Sequence, residues 1–364
     1  MTSTIRFLVR HTALRRLMGL CLLGVFLLAG LVVLPVAFLL GVLLSLRPGG
    51  RGRSARFAAF TTVYLAAEIA GLWQVLRLRG PLARADVAGD PARLLDEHYL
   101  LLQRLLGRLH SAAERWFGLR LTPPDRGHDV PDGPLIVASR HAGPGDSFLL
   151  VYALMVVAGR RPRVVLSRAL ALDPLIDALL SHTPNCFVGF ESDQRQRSTD
   201  EIAGLARTLG PRDAVVIFPE GRNFTVLRRA RLIERLRRRR RDARRLLPSA
   251  RALEHVLPAR GCGLFAAVDA APPGTHLVFV AHTGLDAIES ARDAWRAVPL
   301  ERPVELDWWS SRVDEVPTDA ADRERWLEAQ WLRVDAWIDD HGAQSEAGPD
   351  SAVVDANQNR AIPT

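Results

Sequence analysis

The stretch PLIVASRHAGPGDS, residues 134–147, decides the fold because it joins three different local patterns. Residues 134–139 are mostly apolar, which predicts a strand buried on both faces. Gly143-Pro144-Gly145 then forbids a regular helix and predicts a tight turn. A helical pattern covers residues 147–158. This strand, turn and helix together are typical of a protein built on a parallel sheet.

Further short apolar runs follow the same pattern along the chain. They are RVVLS (163–167), CFVGF (186–190), AVVIF (214–218), HLVFVAH (276–282) and a last strand at 303–309. Helical patterns lie between them, notably at 199–209, and a terminal helix is predicted at 318–341. The sequence therefore predicts an α/β fold with a mostly parallel sheet covered by helices, preceded by an N-terminal hydrophobic membrane anchor.

Composition excludes several classes of protein and of site. The 364 residues are 48% hydrophobic, which is too apolar for a disordered chain. The three cysteines lie far apart, so neither a disulfide framework nor a cysteine zinc module is expected. All 48 basic residues are arginine, which excludes Schiff-base chemistry and a phosphate-loop lysine.

The N-terminal region is hydrophobic enough to enter a membrane. Residues 17–46 carry no charge and would span about 45 Å as one helix, against about 30 Å of hydrocarbon. A second apolar stretch covers residues 57–76. Arginines on every side of both stretches do not decide an orientation, and they suit a shallow insertion that keeps all loops at one anionic face. A cleaved signal peptide is the weaker alternative, because the apolar run is too long.

These patterns divide the chain into four parts. Residues 1–85 form a membrane anchor with one or two hydrophobic segments, and residues 86–120 hold an amphipathic helix. An α/β domain covers residues 121–341, and residues 342–364 are polar and expected to be disordered.

His141 and Asp146 are candidates for proton-transfer chemistry. They are five residues apart and could not meet on one helix, but the intervening turn lets Asp146 fold back onto His141. Its carboxylate would then accept a hydrogen bond from Nδ1–H and leave Nε2 as a general base. The alternative is structural: Asp146 is only the N-cap of the following helix, and His141 is an incidental turn residue.

A second motif, VVIFPEGRNFT, covers residues 215–225. Glu220 and Arg222 follow a buried strand, where ligands bind in open α/β sheets. A guanidinium there matches phosphate oxygens. The alternative is a surface turn with a solvated ion pair, which stabilises little.

Together and in this order, the two motifs resemble the glycerophospholipid acyltransferases of the 1-acylglycerol-3-phosphate acyltransferase group. That family carries His-x-x-x-x-Asp followed by Phe-Pro-Glu-Gly-Thr-Arg. HVLPARGCGL (255–264) resembles its fourth block, and residues 313–341 resemble the end of its membrane-bound, eukaryotic-type branch. The resemblance covers roughly residues 120–341 and implies a 1-acylglycerol-3-phosphate O-acyltransferase-like enzyme.

The resemblance also implies which residues act. The implied catalytic residues are His141 and Asp146. The implied substrate-binding residues are Glu220, Gly221, Arg222, Asn223, Arg195, Pro258 and Arg260, with Glu220 orienting an arginine that binds the acceptor phosphate. The chain departs from the family where Arg222-Asn223 replaces Thr-Arg, and the register of Arg195 against Arg197 stays open. Both departures concern recognition of the acceptor and leave the His–Asp pair intact.

The function so implied is acyl transfer from acyl-CoA or acyl-carrier protein to the hydroxyl of a lysophospholipid such as lysophosphatidic acid. His141 would act as the base, with turn amides at Gly143–Gly145 as oxyanion donors. We expect no cofactor, no metal and no nucleic-acid partner, and a membrane location with the site on the cytoplasmic face. The alternatives are a silent membrane-attached lipid-binding protein, a hydrolase, or transfer to another lipid acceptor. His182, His276 and His282 are taken as core or loop residues.

The charge is concentrated in one segment. Residues 226–247 hold eleven arginines and two acidic residues, a net charge of 11 − 2 = +9, whereas the whole chain carries +8. A solvated helix face and a nucleic-acid site are two interpretations, and the second lacks aromatic interleaving. The favoured interpretation is a helix that binds anionic headgroups or the phosphates of CoA.

Overall fold

The computed structural model describes residues 52–79, 90–122, 130–143, 145–188, 195–238 and 247–346, with isolated positions between 21 and 41. The predicted first hydrophobic segment, 17–46, lies almost entirely outside the described residues, as do residues 347–364.

Seven strands form one mixed sheet. They are β1 (Leu121–Thr122), β2 (Leu135–Ser139), β3 (Arg161–Ser167), β4 (Cys186–Val188), β5 (Asp213–Ile217), β6 (His276–Thr283) and β7 (Val304–Arg312). Their order is β1-β7-β6-β2-β5-β3-β4. Only the β6–β7 pair is antiparallel among these strands, so the predicted mostly parallel α/β fold is confirmed.

Helices surround this sheet. They are α1 (Arg53–Arg79), α2 (Pro91–Phe117), α3 (Asp146–Tyr152), α4 (Pro174–Leu180), α5 (Arg195–Arg207), α6 (Val226–Arg238), α7 (Gly261–Ala270), α8 (Ala291–Ala297) and α9 (Ala320–Glu346). A π-helical turn, Ala153–Val157, continues α3. Helix α9 runs past residue 341 to Glu346, so it enters the predicted disordered tail.

Successive side chains of a strand point to opposite faces of the sheet, and helical segments cover both faces. One cluster joins Ile136, Val215 and Phe279 to helices α5, α7 and α9. The other joins Val137 and Val216 to Leu154 in the π-helical turn. Apolar runs without polar interruption are what such doubly covered strands require.

Helix α2 has clear sequence signals at both ends. The Asp90 side chain accepts hydrogen bonds from the amides of Ala92 and Arg93, and Pro91 opens the helix. Gly118 ends it with a positive φ of 74°, a conformation that favours glycine. The helix buries its apolar face against α1 and α4, which matches the amphipathic pattern in the sequence.

Helix α1 packs on helices α2 and α4 and makes hydrogen bonds to more distant parts of the chain. Arg53 donates to the carbonyl of Val298 at 3.0 Å, and the Tyr64 hydroxyl donates to Asp173. Among the described residues, the segment Arg53–Leu78 is the one helix long and apolar enough to cross a membrane. Its exposed side chains include Ile69, Trp73 and Leu76, which lie on one helical face.

Candidate active site

The site lies where three central strands end. Strand β2 pairs in parallel with β5 on one side and with β6 on the other. Their carboxyl ends therefore meet at one edge of the sheet, where ligands bind in open α/β folds. His141 follows β2, Glu220 follows β5, and His282 lies near the end of β6.

The structure brings His141 and Asp146 into contact. Nδ1 of His141 lies 2.9 Å from Oδ2 and 3.1 Å from Oδ1 of Asp146. The N-cap position of α3 is Gly145, and Asp146 is the first helical residue with its carboxylate turned back to the histidine. Capping alone therefore does not describe the role of Asp146.

The turn itself holds the Asp146 carboxylate. Oδ2 accepts from the amides of Ala142 at 2.6 Å and Gly143 at 3.2 Å, and Oδ1 accepts from the Ser147 amide at 2.6 Å. A Cβ at Gly143 would lie 2.9 Å from the carbonyl oxygen of Ile288, so the tight turn requires glycine. Because the Gly143 amide binds Asp146, it is not available as the oxyanion donor that the sequence predicts.

Asp146 is buried and ionised. Burial by itself would raise its pKa, but the hydrogen bond with His141, the two nearby histidines and the Gly143 amide outweigh this effect. The net result is a carboxyl pKa below its ordinary value. An ionised Asp146 accepts from Nδ1–H and so fixes the tautomer in which Nε2 is unprotonated.

His141 remains open to the surface. Its side chain is 24% exposed, and its ring packs 4.7 Å from the ring of Phe218. Within the described part of the chain, Nε2 has no hydrogen-bond partner. Nε2 can therefore take a proton from a bound hydroxyl group.

Glu220 lies in the interior, 1% exposed, and not at the surface that faces a substrate. Oε1 accepts from the His141 amide at 2.7 Å, and Oε2 accepts from the Leu257 amide at 2.7 Å. The sequence predicts that Glu220 orients an arginine, but both carboxylate oxygens hold main-chain amides. Burial raises the pKa of Glu220 to about 8, although these two amides and Arg140 favour its charged form.

Two of the predicted phosphate-binding residues lie on the surface. Arg222 and Arg260 are exposed. Gly221 has a φ of 70°, and a Cβ there would lie 3.6 Å from Nη1 of Arg260. The motif at 215–225 and the stretch at 255–264 are therefore in contact. The Asn223 side chain accepts a hydrogen bond from the Arg228 side chain. Pro258 is half-buried. Arg195 begins α5, but its side chain lies outside the described residues.

A comparison with protein families bears on this geometry. The family model described as Acyltransferase matches residues 124–259. This stretch contains the ends of β2 and β5 and both sequence motifs. Residues 124–259 are an acyltransferase domain. The predicted assignment to an acyltransferase family is confirmed.

Two further comparisons describe the similarity of this acyltransferase to other proteins. The 1-acyl-sn-glycerophosphate (LPA) acyltransferase PlsC of Thermotoga maritima is 13% identical in sequence, with a TM-score of 0.46. The match covers 78% of this chain and 97% of the Thermotoga chain. No curated protein sequence matches the chain significantly.

The acyltransferase site holds two residues that the sequence analysis did not select. Arg140 is 1% exposed; it donates to the carbonyl of His282 at 2.5 Å and pairs with Asp286 at 2.6 Å. The His282 ring lies 3.8 Å from Asp146 Oδ2. Burial and the charge of Arg140 lower the pKa of His282 to about 4, so this histidine is neutral. The sequence did contain a signal for Arg140, because a charged residue directly after an apolar strand lies at the edge of the sheet where ligands bind.

The acyltransferase shows no arrangement for a metal ion among its described residues. No group of three or more His, Cys, Asp or Glu side chains in that part of the chain is close enough to bind one. The chemistry available at the described site is proton transfer at His141 and binding of anions by exposed arginines.

Proposed function

We propose that the chain transfers an acyl group from a thioester, acyl-CoA or acyl-carrier protein, to the free hydroxyl of a lysophospholipid such as lysophosphatidic acid. The observation that carries this proposal is the 2.9 Å contact between His141 Nδ1 and the buried carboxylate of Asp146. That contact leaves Nε2 at the surface as a base, inside an acyltransferase domain.

His141 Nε2 takes the proton of the acceptor hydroxyl as its oxygen attacks the thioester carbonyl. The resulting tetrahedral intermediate collapses, the carbon–sulfur bond breaks, and the thiolate takes the proton back from His141. The ester and the free thiol are the products, so protons and charge balance without an acyl-enzyme. Asp146 stabilises the imidazolium that forms between the two transfers.

Glu220 acts in this mechanism by positioning His141. Its hydrogen bond to the His141 amide fixes the main chain that carries the base. Its second oxygen accepts a hydrogen bond from the amide of Leu257. Arg222 and Arg260 are the groups proposed to bind the acceptor phosphate, because exposed guanidinium groups match phosphate oxygens. The Arg260 side chain lies beside Gly221, the residue that precedes Arg222, which supports a shared anion site.

Membrane association fits a lipid acceptor. Helix α1 packs on α2 and α4 with one face and exposes Ile69, Trp73 and Leu76 on another, which supports a shallow insertion. CoA and carrier-protein thioesters are cytoplasmic donors, so the proposed site faces the cytoplasm.

The test is direct acyl transfer by the full chain in membranes, with labelled acyl-CoA and lysophosphatidic acid. Labelled phosphatidic acid from the wild type but not from His141→Ala supports the proposal. His276→Ala is the matched control, because His276 lies at the opposite end of β6. Labelled free fatty acid would indicate a hydrolase. No turnover with several lysolipids and both donor types would favour a silent lipid-binding protein.

A further inference from the structure

Helix α6 carries the strongest charge in the described part of the chain. Its 13 residues, Val226–Arg238, include six arginines and one glutamate, a net charge of 6 − 1 = +5. The helix follows the second sequence motif directly. The acyl-transfer mechanism proposed above uses none of its side chains.

The inner side of α6 is fixed to the domain. Leu236 is buried, Nε of Arg229 donates to the carbonyl of Leu253 at 2.6 Å, and its Nη2 donates to that of Arg251 at 2.9 Å. Thr225 Oγ1 accepts from the Arg228 amide at 3.1 Å and caps the first turn. These contacts determine which side of the helix faces outward.

The outer face combines charge with an apolar end. Leu227, Arg231, Arg235 and Arg238 are all exposed. With 3.6 residues per turn, these positions fall within an arc of about 80°. Glu234 on the same side pairs with Arg238 at 2.9 Å. A row of arginines that begins at an exposed leucine matches the interface of an anionic bilayer, where cations meet headgroups and the apolar residue enters the boundary.

The helix is also coupled to the site. The Phe224 amide donates to the His141 carbonyl at 2.6 Å, and α6 begins two residues later. A surface that binds the outer face of α6 therefore also sets the orientation of the sheet edge that carries His141. We propose that the outer face of α6, formed by Leu227, Arg231, Arg235 and Arg238, docks the domain on anionic phospholipid headgroups.

Docking of α6 on lipid does not depend on acyl transfer, so it can be tested without measuring turnover. The full chain carries Leu227→Cys with a fluorescent label, and its native Cys21, Cys186 and Cys262 are replaced by alanine. It is reconstituted in nanodiscs of phosphatidylcholine alone or of phosphatidylcholine with phosphatidylglycerol, each containing a lipid-borne quencher. We expect quenching in the phosphatidylglycerol discs at low salt and its loss at high salt, because surface charges are screened.

Two triple variants separate docking from net charge. Arg231→Gln/Arg235→Gln/Arg238→Gln should lower the ratio of docked to undocked domain at least roughly tenfold, since each arginine contributes at an anionic surface. Arg292→Gln/Arg296→Gln/Arg302→Gln removes the same charge from exposed positions elsewhere and should leave quenching unchanged. His141→Ala should dock like the parent chain, which distinguishes this proposal from the catalytic one.

Several results would overturn the proposal. Equal quenching in neutral discs would show that charge does not drive contact. No quenching in either disc, or equal effects of the two triple variants, would place α6 away from the lipid. Shielding of the label by added acyl-carrier protein in neutral discs, without quenching by anionic lipid, would assign the face to an acidic protein partner.

Discussion

The buried wall of the site and its exposed rim differ in how their charges are held. The buried wall consists of Arg140, Asp146, Glu220 and His282, all less than 9% exposed. The exposed rim consists of Arg222 and Arg260. The ionisable side chains of the wall are costly to bury, so each is fixed by hydrogen bonds to the main chain or to a charged partner. The rim arginines are exposed to solvent, so we expect them to tolerate substitution without loss of the fold.

This contrast separates two properties of the enzyme. In the proposed mechanism, proton transfer depends on the wall and hence on the geometry of the sheet edge. The proposed choice of acceptor depends on the rim, which is where the sequence departs from the family pattern at Arg222 and Asn223. We therefore expect wall substitutions to lower kcat and stability, and rim substitutions to change KM.

The largest effect is expected from Asp146→Asn. The amide cannot balance an imidazolium, and its nitrogen would face the amides of Ala142 and Gly143. We expect kcat to fall about 10³-fold, within the usual range for loss of assisted proton transfer. Asp340→Asn, at an exposed position of α9, is the control. A change of kcat below threefold in steady-state assays would show that the wall does not govern proton transfer.

The next effect concerns the pH dependence of stability. His282 has a pKa of about 4 in the folded chain against an ordinary 6.5, so only the unfolded chain takes up its proton between these values. The free energy of unfolding should therefore fall by about 3 kcal/mol as the pH drops from 6.5 to 4. Denaturant unfolding in detergent would measure this. His282→Gln should lose that part of the slope, and an identical slope in both chains would contradict the assignment.

Glu220→Gln is expected to act more weakly. Glutamine keeps one acceptor oxygen, so either the His141 or the Leu257 amide loses its partner. We expect about 2 kcal/mol less stability, because an unpaired buried amide is costly. We also expect a lower kcat at unchanged KM. Glu289→Gln, at an exposed position, should change neither quantity. A raised acceptor KM instead would mean that Glu220 does contact substrate.

The smallest effect is expected at the rim. Arg222→Gln and Arg260→Gln should each raise KM for lysophosphatidic acid about tenfold, since one charge-assisted phosphate contact is lost. The kcat should not change. A neutral acceptor such as monoacylglycerol serves as the comparison, and its KM should be the same in all three chains. Equal changes for both acceptors would remove these arginines from phosphate recognition.

The sequence predicted strands β2 to β7 and the His–Asp contact because both have local signals, but it missed the two-residue strand β1. Apolar runs and the Gly-Pro-Gly turn specify them within a few residues. The short helices α4, α7 and α8 were not predicted, because seven to ten residues show little periodicity.

The environment of Glu220 was also not predicted. Its partners are main-chain amides at His141 and Leu257, and an amide carries no signature in the sequence. A glutamate in a turn after a strand therefore resembles a surface residue. Likewise, the contact of His282 with Asp146 depends on the pairing of β2 with β6, which joins residues far apart in the chain.

The two bonds that close the segment after Glu220 also bear on how the sequence can vary. Besides Glu220 with the Leu257 amide, the Arg260 amide donates to the Pro219 carbonyl at 2.9 Å. The chain thus leaves the sheet edge and returns to the same point. Because closing a longer loop costs only slightly more entropy, we expect that the number of residues between α6 and the buried residues from Ser249 onward can change while the ends stay in register. Evolution and protein engineering can therefore change the length of this stretch independently of the turn that carries His141.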